Sequence, residues 1–144
     1  MKPAQETIES KIGCVGMNKD REFELTDIVR ETGYAIHQYL GPGHPEEIYE
    51  NALAHRLRKA GLDVEQQLPL HIFDEDETLI GECYADLLVD DCLIVGLKVA
   101  SEIADAHIAQ MLGLLRASDI GHGVVVNFGA SKFGIRKLAI SSNS

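Results

Sequence analysis

Between Thr26 and Leu40 a largely apolar set, Ile28, Val29, Thr32, Ile36 and Tyr39 or Leu40, recurs three and four positions apart, the period of one helical face. Thr26 is placed to cap that helix through its hydroxyl, and Gly41-Pro42-Gly43 ends it. A second helix is predicted from Pro45, with Glu46 and Glu47 facing its positive end. Its stripe is Ile48, Tyr49, Ala52, Leu53 and Leu57, and Gly61 is the stop. The period then changes to two: Val64, Gln66, Leu68, Leu70 and Ile72 are predicted on one strand face. Residues 79–89 form a second strand, Asp90-Asp91 a tight turn, and Cys92 to Val99 a third strand, which together make a hairpin. A third helix spans about Ile103 to Ala117, burying Ile108, Met111, Leu112 and Leu115. Gly121 and Gly123 lead into the apolar run Val124-Val125-Val126, and a last strand lies around Ile135 to Ile140. The order ααβββαββ predicts an α/β domain, a central mixed sheet flanked by helices.

Residues 1–22 carry neither period and read as a flexible N-terminal tail, which leaves 23–144 as a single domain. No apolar run is long enough to span a membrane, and the first 20 residues lack the apolar core of a secretory signal. Cys14, Cys83 and Cys92 fit no zinc spacing and are expected as reduced thiols, so the expected setting is the cytoplasm. The formal net charge of −10 repels phosphate backbones and argues against a general, high-affinity nucleic-acid binder. A bound divalent cation could still reverse the sign of a small cleft.

Two charges stand out in the hairpin. Asp86 interrupts the apolar strand Tyr84-Ala85-Asp86-Leu87-Leu88-Val89, and Lys98 ends Leu93-Ile94-Val95-Gly96-Leu97-Lys98. Alternation puts Gly96 and Lys98 on one face. Charges on buried neighbouring strands are costly unless paired or bound, so the spacing leaves two readings open: an Asp86–Lys98 ion pair, or a carboxylate and lysine around a divalent ion. Other residues have plain structural readings. Glu46 complements a helix N-terminus, Tyr49 is a core aromatic with a bonded hydroxyl, and Gln110 caps a buried backbone group. His107 lies on a helix face, Asp74-Glu75-Asp76-Glu77 is a solvated turn, and Lys132, Arg136 and Lys137 are a solvated basic edge.

The segment Gly43-His44-Pro45-Glu46-Glu47-Ile48-Tyr49 has the form G-x-x-E-x-x-Y. It follows Leu40-Gly41-Pro42-Gly43 and precedes Ala85-Asp86-Leu87-Leu88-Val89, Ile94-Val95-Gly96-Leu97-Lys98-Val99-Ala100, His107-Ile108-Ala109-Gln110-Met111-Leu112 and Asn127-Phe128-Gly129. In these ordered motifs, from about Leu25 to Ile140, the chain resembles the GxxExxY family of the PD-(D/E)XK nuclease superfamily. The resemblance implies a restriction-endonuclease-like fold with a metal site on the hairpin. Asp86, Glu46 and the carbonyl of Leu97 would be its ligands for Mg²⁺ or Mn²⁺. Lys98 would orient water or stabilise phosphate charge, and Gln110 would position substrate. Gly96 departs from the pattern, which calls for an acid two residues before the lysine. Its loss predicts weak metal binding unless another carboxylate such as Glu82 or Glu102 has taken the role. The expected function is therefore a catalytically impaired nuclease-like module that binds nucleic acid or a protein. The alternative is an active Mg²⁺- or Mn²⁺-dependent nuclease with a migrated acid.

Overall fold

The computed structural model describes residues 19–140; residues 1–18, most of the expected tail, lie outside it. The first helix, α1 (Lys19–Leu40), starts ahead of its apolar period. Thr26 does not cap it but lies inside it, its hydroxyl donating to the Glu22 carbonyl at 2.8 Å. Polar contacts anchor the added turns, which is why the apolar pattern did not reveal them. Arg21 pairs with Asp90, and buried Glu22 lies 3.0 Å from His122 Nε2. Pro45 is extended before helix α2 (Glu46–Lys59). At its other end Gly61 turns left-handed with φ +95°, and Leu62 N–H returns to the Leu57 carbonyl at 3.1 Å.

Five strands follow in the sheet order β1-β2-β3-β4-β5: β1 (Val64–Phe73), β2 (Leu79–Val89), β3 (Leu93–Lys98), β4 (His122–Asn127) and β5 (Gly134–Ala139). Neighbours are antiparallel except β3 and β4, whose crossover is helix α3 (Asp105–Ser118). A parallel pair needs such a connection. The mixed sheet flanked by helices is the predicted architecture.

Two cores cover the two sheet faces. Leu25, Val29 and Ile36 of α1 and Tyr49, Leu53 and Leu57 of α2 pack with Leu93, Val95, Leu97, Val124 and Val126. Met111 and Leu115 of α3 pack with Leu88, Ile94 and Val125 on the other face. On β1 and β2 the faces exchange partway along. Val64, Leu87 and Val89 belong to the α1/α2 core, whereas Leu68, Leu70 and Ala85 belong to the α3 core. On an unbroken strand Ala85 and Leu87 would share a face, so the expected single face from Val64 to Ile72 is not what forms. The break falls at Gln67 and Asp86, opposite each other between the pairs Gln66–Leu87 and Leu68–Ala85, with Gln67 at φ 53°.

The β2–β3 turn holds Asp90 and Asp91 at φ 51° and 55°, the torsions of a two-residue hairpin. Cys83 is a free thiol, its pKa raised by burial and then by Glu82. Cys92 is disulfide-bonded, which corrects the expectation of three reduced thiols; Cys14 lies outside the described residues. The two turn aspartates should respond oppositely to glycine. Asp91→Gly relieves a left-handed torsion worth roughly 1 kcal/mol and should raise the midpoint of urea unfolding. Asp90→Gly relieves the same torsion but removes the Arg21 pair and the acceptor for Asp63 N–H, so it should lower that midpoint.

Candidate functional site

The G-x-x-E-x-x-Y segment is a loop pinned by its own tyrosine. Tyr49 is fully buried and stacked on Phe128, with ring centroids 4.6 Å apart. Its hydroxyl donates to the Gly41 carbonyl at 2.5 Å and accepts from His44 N–H at 3.2 Å. Gly41 and Gly43, at φ +69° and +117°, take torsions that a side chain would oppose. The loop therefore enters α2 along one path, and Glu46 sits on its first turn.

Asp86 holds the sheet open at one point. The β2–β3 ladder ends where Leu87 faces Val95. Beyond it, Asp86 Oδ2 accepts from Leu97 N–H at 2.7 Å. A carboxylate thus satisfies a backbone donor that the departing strand no longer reaches. Leu97 contributes its N–H to this contact. No ion pair within 4 Å joins Asp86 to Lys98 among the described residues. Lys98 Nζ instead donates to Gln110 Oε1 at 2.6 Å. His107 Nδ1 accepts from Ala104 N–H at 3.0 Å and so caps α3.

Glu46 reports how the groups converge. Its carboxyl lies above the usual range because burial disfavours the charge. Asp86 then raises it further, Lys98 lowers it, and Glu50 raises it again. Glu50 was not singled out from the sequence. It follows Glu46 by four residues and so shares its helical face, which was the available signal. It is 7% exposed, and its carboxylate accepts from Gln66 Nε2 at 2.9 Å and Gln67 Nε2 at 2.7 Å. Gln67 Nε2 also reaches Asp86 Oδ1 at 3.3 Å. Glu46, Glu47, Glu50, Asn51, Gln66 and Gln67 line an open cleft of about 590 Å³.

The acids named from sequence as substitutes lie elsewhere. Glu82 is 3.1 Å from His71 Nε2 and accepts from the Tyr84 hydroxyl. Glu102 is exposed in the segment after β3. Neither is among the charges that act on Glu46.

The family model of the PD-(D/E)XK nuclease superfamily matches residues 23–138, and the chain belongs to that superfamily. No curated protein and no solved structure gives a match. Members of the superfamily generally use divalent metals, but the donors here do not fit one as arranged. Among the described residues no three His, Cys, Asp or Glu side chains are grouped to hold a metal. The oxygens of Glu50 and Asp86 already accept from amides, and position 96 supplies none. We therefore derive no step through a metal.

The raised Glu46 carboxyl sets a pH dependence. Between the usual carboxylate pKa and the raised one, the folded state binds more protons than the unfolded one, so stability falls as pH rises through that window. Glu46→Gln removes the effect. At neutral pH the variant should melt higher than the natural chain, and the difference should vanish below the ordinary carboxylate range. Melting curves across pH test this; a lower melting temperature for the variant at pH 7 would contradict it.

Proposed function

We propose that this chain is a nuclease-derived domain of the GxxExxY type that has lost most phosphodiester chemistry and works by binding. The observation that carries the reading is Gly96. It is buried on β3, two residues before Lys98, where a Cβ would come within 2.9 Å of Met111 Cε. Position 96 therefore offers no oxygen beside Lys98 and faces the end of a core methionine. Two acids and a carbonyl make a poor set for Mg²⁺, which demands near-octahedral oxygen geometry. In this reading Asp86 and Glu46 are the remnant metal-binding residues and hold Mg²⁺ or Mn²⁺ weakly. Lys98 and Gln110 are a remnant phosphate-facing pair.

Nucleic acid and protein are the two proposed ligand classes. The acid-lined cleft and the net charge of −10 favour a protein partner that presents basic side chains. The cytoplasm is the proposed setting because a nuclease-derived module meets nucleic acid and its binding proteins there; the disulfide at Cys92 counts against it. No described helix is long and apolar enough to cross a membrane.

One observation favours the active alternative. Glu50 is a buried acid beside Glu46, better placed than Glu82 or Glu102 to replace the missing carboxylate.

Titration with Mg²⁺ and Mn²⁺, followed by incubation with mixed DNA and RNA, decides between the two. The binding reading predicts weak metal uptake and no robust cleavage. Metal-dependent cleavage by the natural chain, abolished by Asp86→Ala, would overturn it. Gly96→Glu should raise Mn²⁺ affinity by about tenfold or more, since one hard ligand is restored. The same change should lower the metal-free melting temperature, because a further acid joins Asp86 and Glu46. The Met111 terminus is a flexible group that can yield to the new side chain.

A further inference from the structure

Gln67 is the residue at which three irregularities meet. Its backbone is left-handed, with φ 53°, a torsion that costs an L-residue roughly 1 kcal/mol. It faces Asp86 where both strands exchange faces. Its side-chain nitrogen lies 2.7 Å from Glu50 Oε1 and 3.3 Å from Asp86 Oδ1. A primary amide has two hydrogens, enough to serve one oxygen of each carboxylate. A cation shared by Glu50 and Asp86 would have to stand where this nitrogen stands.

We infer that Gln67 is a built-in occupant of the space between Glu50 and Asp86, a neutral amide that holds the acid pair together and keeps divalent cations out. The inference rests on the impaired-site reading and adds a second cause to it. Gly96 removes a ligand, whereas Gln67 engages one oxygen of Asp86 and one of the neighbouring Glu50. Glu50 has the greater need of such a partner. It is 7% exposed, and a buried carboxylate without donors is costly. Gln66 Nε2 satisfies its other oxygen at 2.9 Å and also reaches Asn51 Oδ1, but it does not bridge to Asp86. Gln67 is thus a positioning residue whose removal exposes two facing carboxylates, and such a pair either takes up a proton or takes up a cation.

Two substitutions separate this role from a merely structural one. Gln67→Gly removes the amide and relaxes the backbone, since glycine accepts positive φ at no steric cost. Any loss of stability is then due to the missing side chain. Gln67→Lys keeps the strained backbone but offers an ammonium group in place of the amide. Melting temperatures of the full chain are measured without metal and with millimolar MnCl₂, and Mn²⁺ affinity is measured by calorimetry. The Gly variant should melt a few degrees lower without metal and recover with Mn²⁺. It should bind Mn²⁺ about tenfold tighter than the natural chain, a change readily resolved by calorimetry, and Gln67→Gly combined with Asp86→Ala should lose that response. The Lys variant should keep its melting temperature and show no Mn²⁺ response. Equal Mn²⁺ responses in the natural chain and the Gly variant would overturn the inference, as would loss of stability in both variants without any Mn²⁺ effect. The impaired-site reading fails separately, by cleavage with the natural chain.

Discussion

The hydrogen bond from Leu97 N–H to the Asp86 carboxylate is the contact on which the site depends. Sheets normally satisfy every backbone donor by pairing, so two strands part only where something else accepts the freed groups. Asp86 does this at 2.7 Å, one residue past the end of the β2–β3 ladder. The exchange of faces follows from the same point. With Asp86 committed to β3, β2 and β1 turn together, and Ala85 and Leu68 go to the α3 core while Leu87 and Val64 stay with α1 and α2. The turn brings Gln67 within reach of Asp86, and Gln67 in turn meets Glu50 of α2. One backbone hydrogen bond thereby links a sheet irregularity to an acidic cleft.

The proposed preference for binding over hydrolysis draws on the charges around Glu46. Burial raises the pKa of Glu46, Asp86 raises it further, Lys98 lowers it and Glu50 raises it again; Lys98 itself is engaged with Gln110. The carboxylates receive neutral amide donors from Gln66, Gln67 and Leu97. Such donors orient an acid and offset its desolvation, but they supply no net positive charge for an incoming phosphate. The missing acid at Gly96 and the occupied oxygens of Glu50 and Asp86 act in the same direction.

Much of this architecture was legible in the pattern of apolar residues. Helix stripes, strand alternation and turn residues each report a local period, and those periods gave the element order and the hairpin at Asp90-Asp91. The G-x-x-E-x-x-Y run pointed to α2 and to Glu46. Three features were hidden for physical reasons. The start of α1 rests on the polar contacts of Arg21 and Glu22 with distant residues, which no local period carries. The exchange of faces at Gln67 and Asp86 leaves the alternation of residue types intact while changing which core each residue meets. Glu50 reads as a surface acid on a helix flank, and only the tertiary approach of β1 buries it against Gln66 and Gln67. Glu82, conversely, looked suitable because it shares strand parity with Asp86, and that parity fails once the strand turns.

The cleft is proposed to be organised by its own hydrogen bonds, and the exchange rate of the Leu97 amide tests this most directly. Hydrogen–deuterium exchange of the full natural chain, followed by NMR with and without millimolar Mn²⁺, reads that one proton. A donor held by Asp86 should exchange slowly, at a rate that metal leaves unchanged. Rapid exchange in the metal-free protein, slowed only when Mn²⁺ is added, would show that a cation organises the site and would contradict the account.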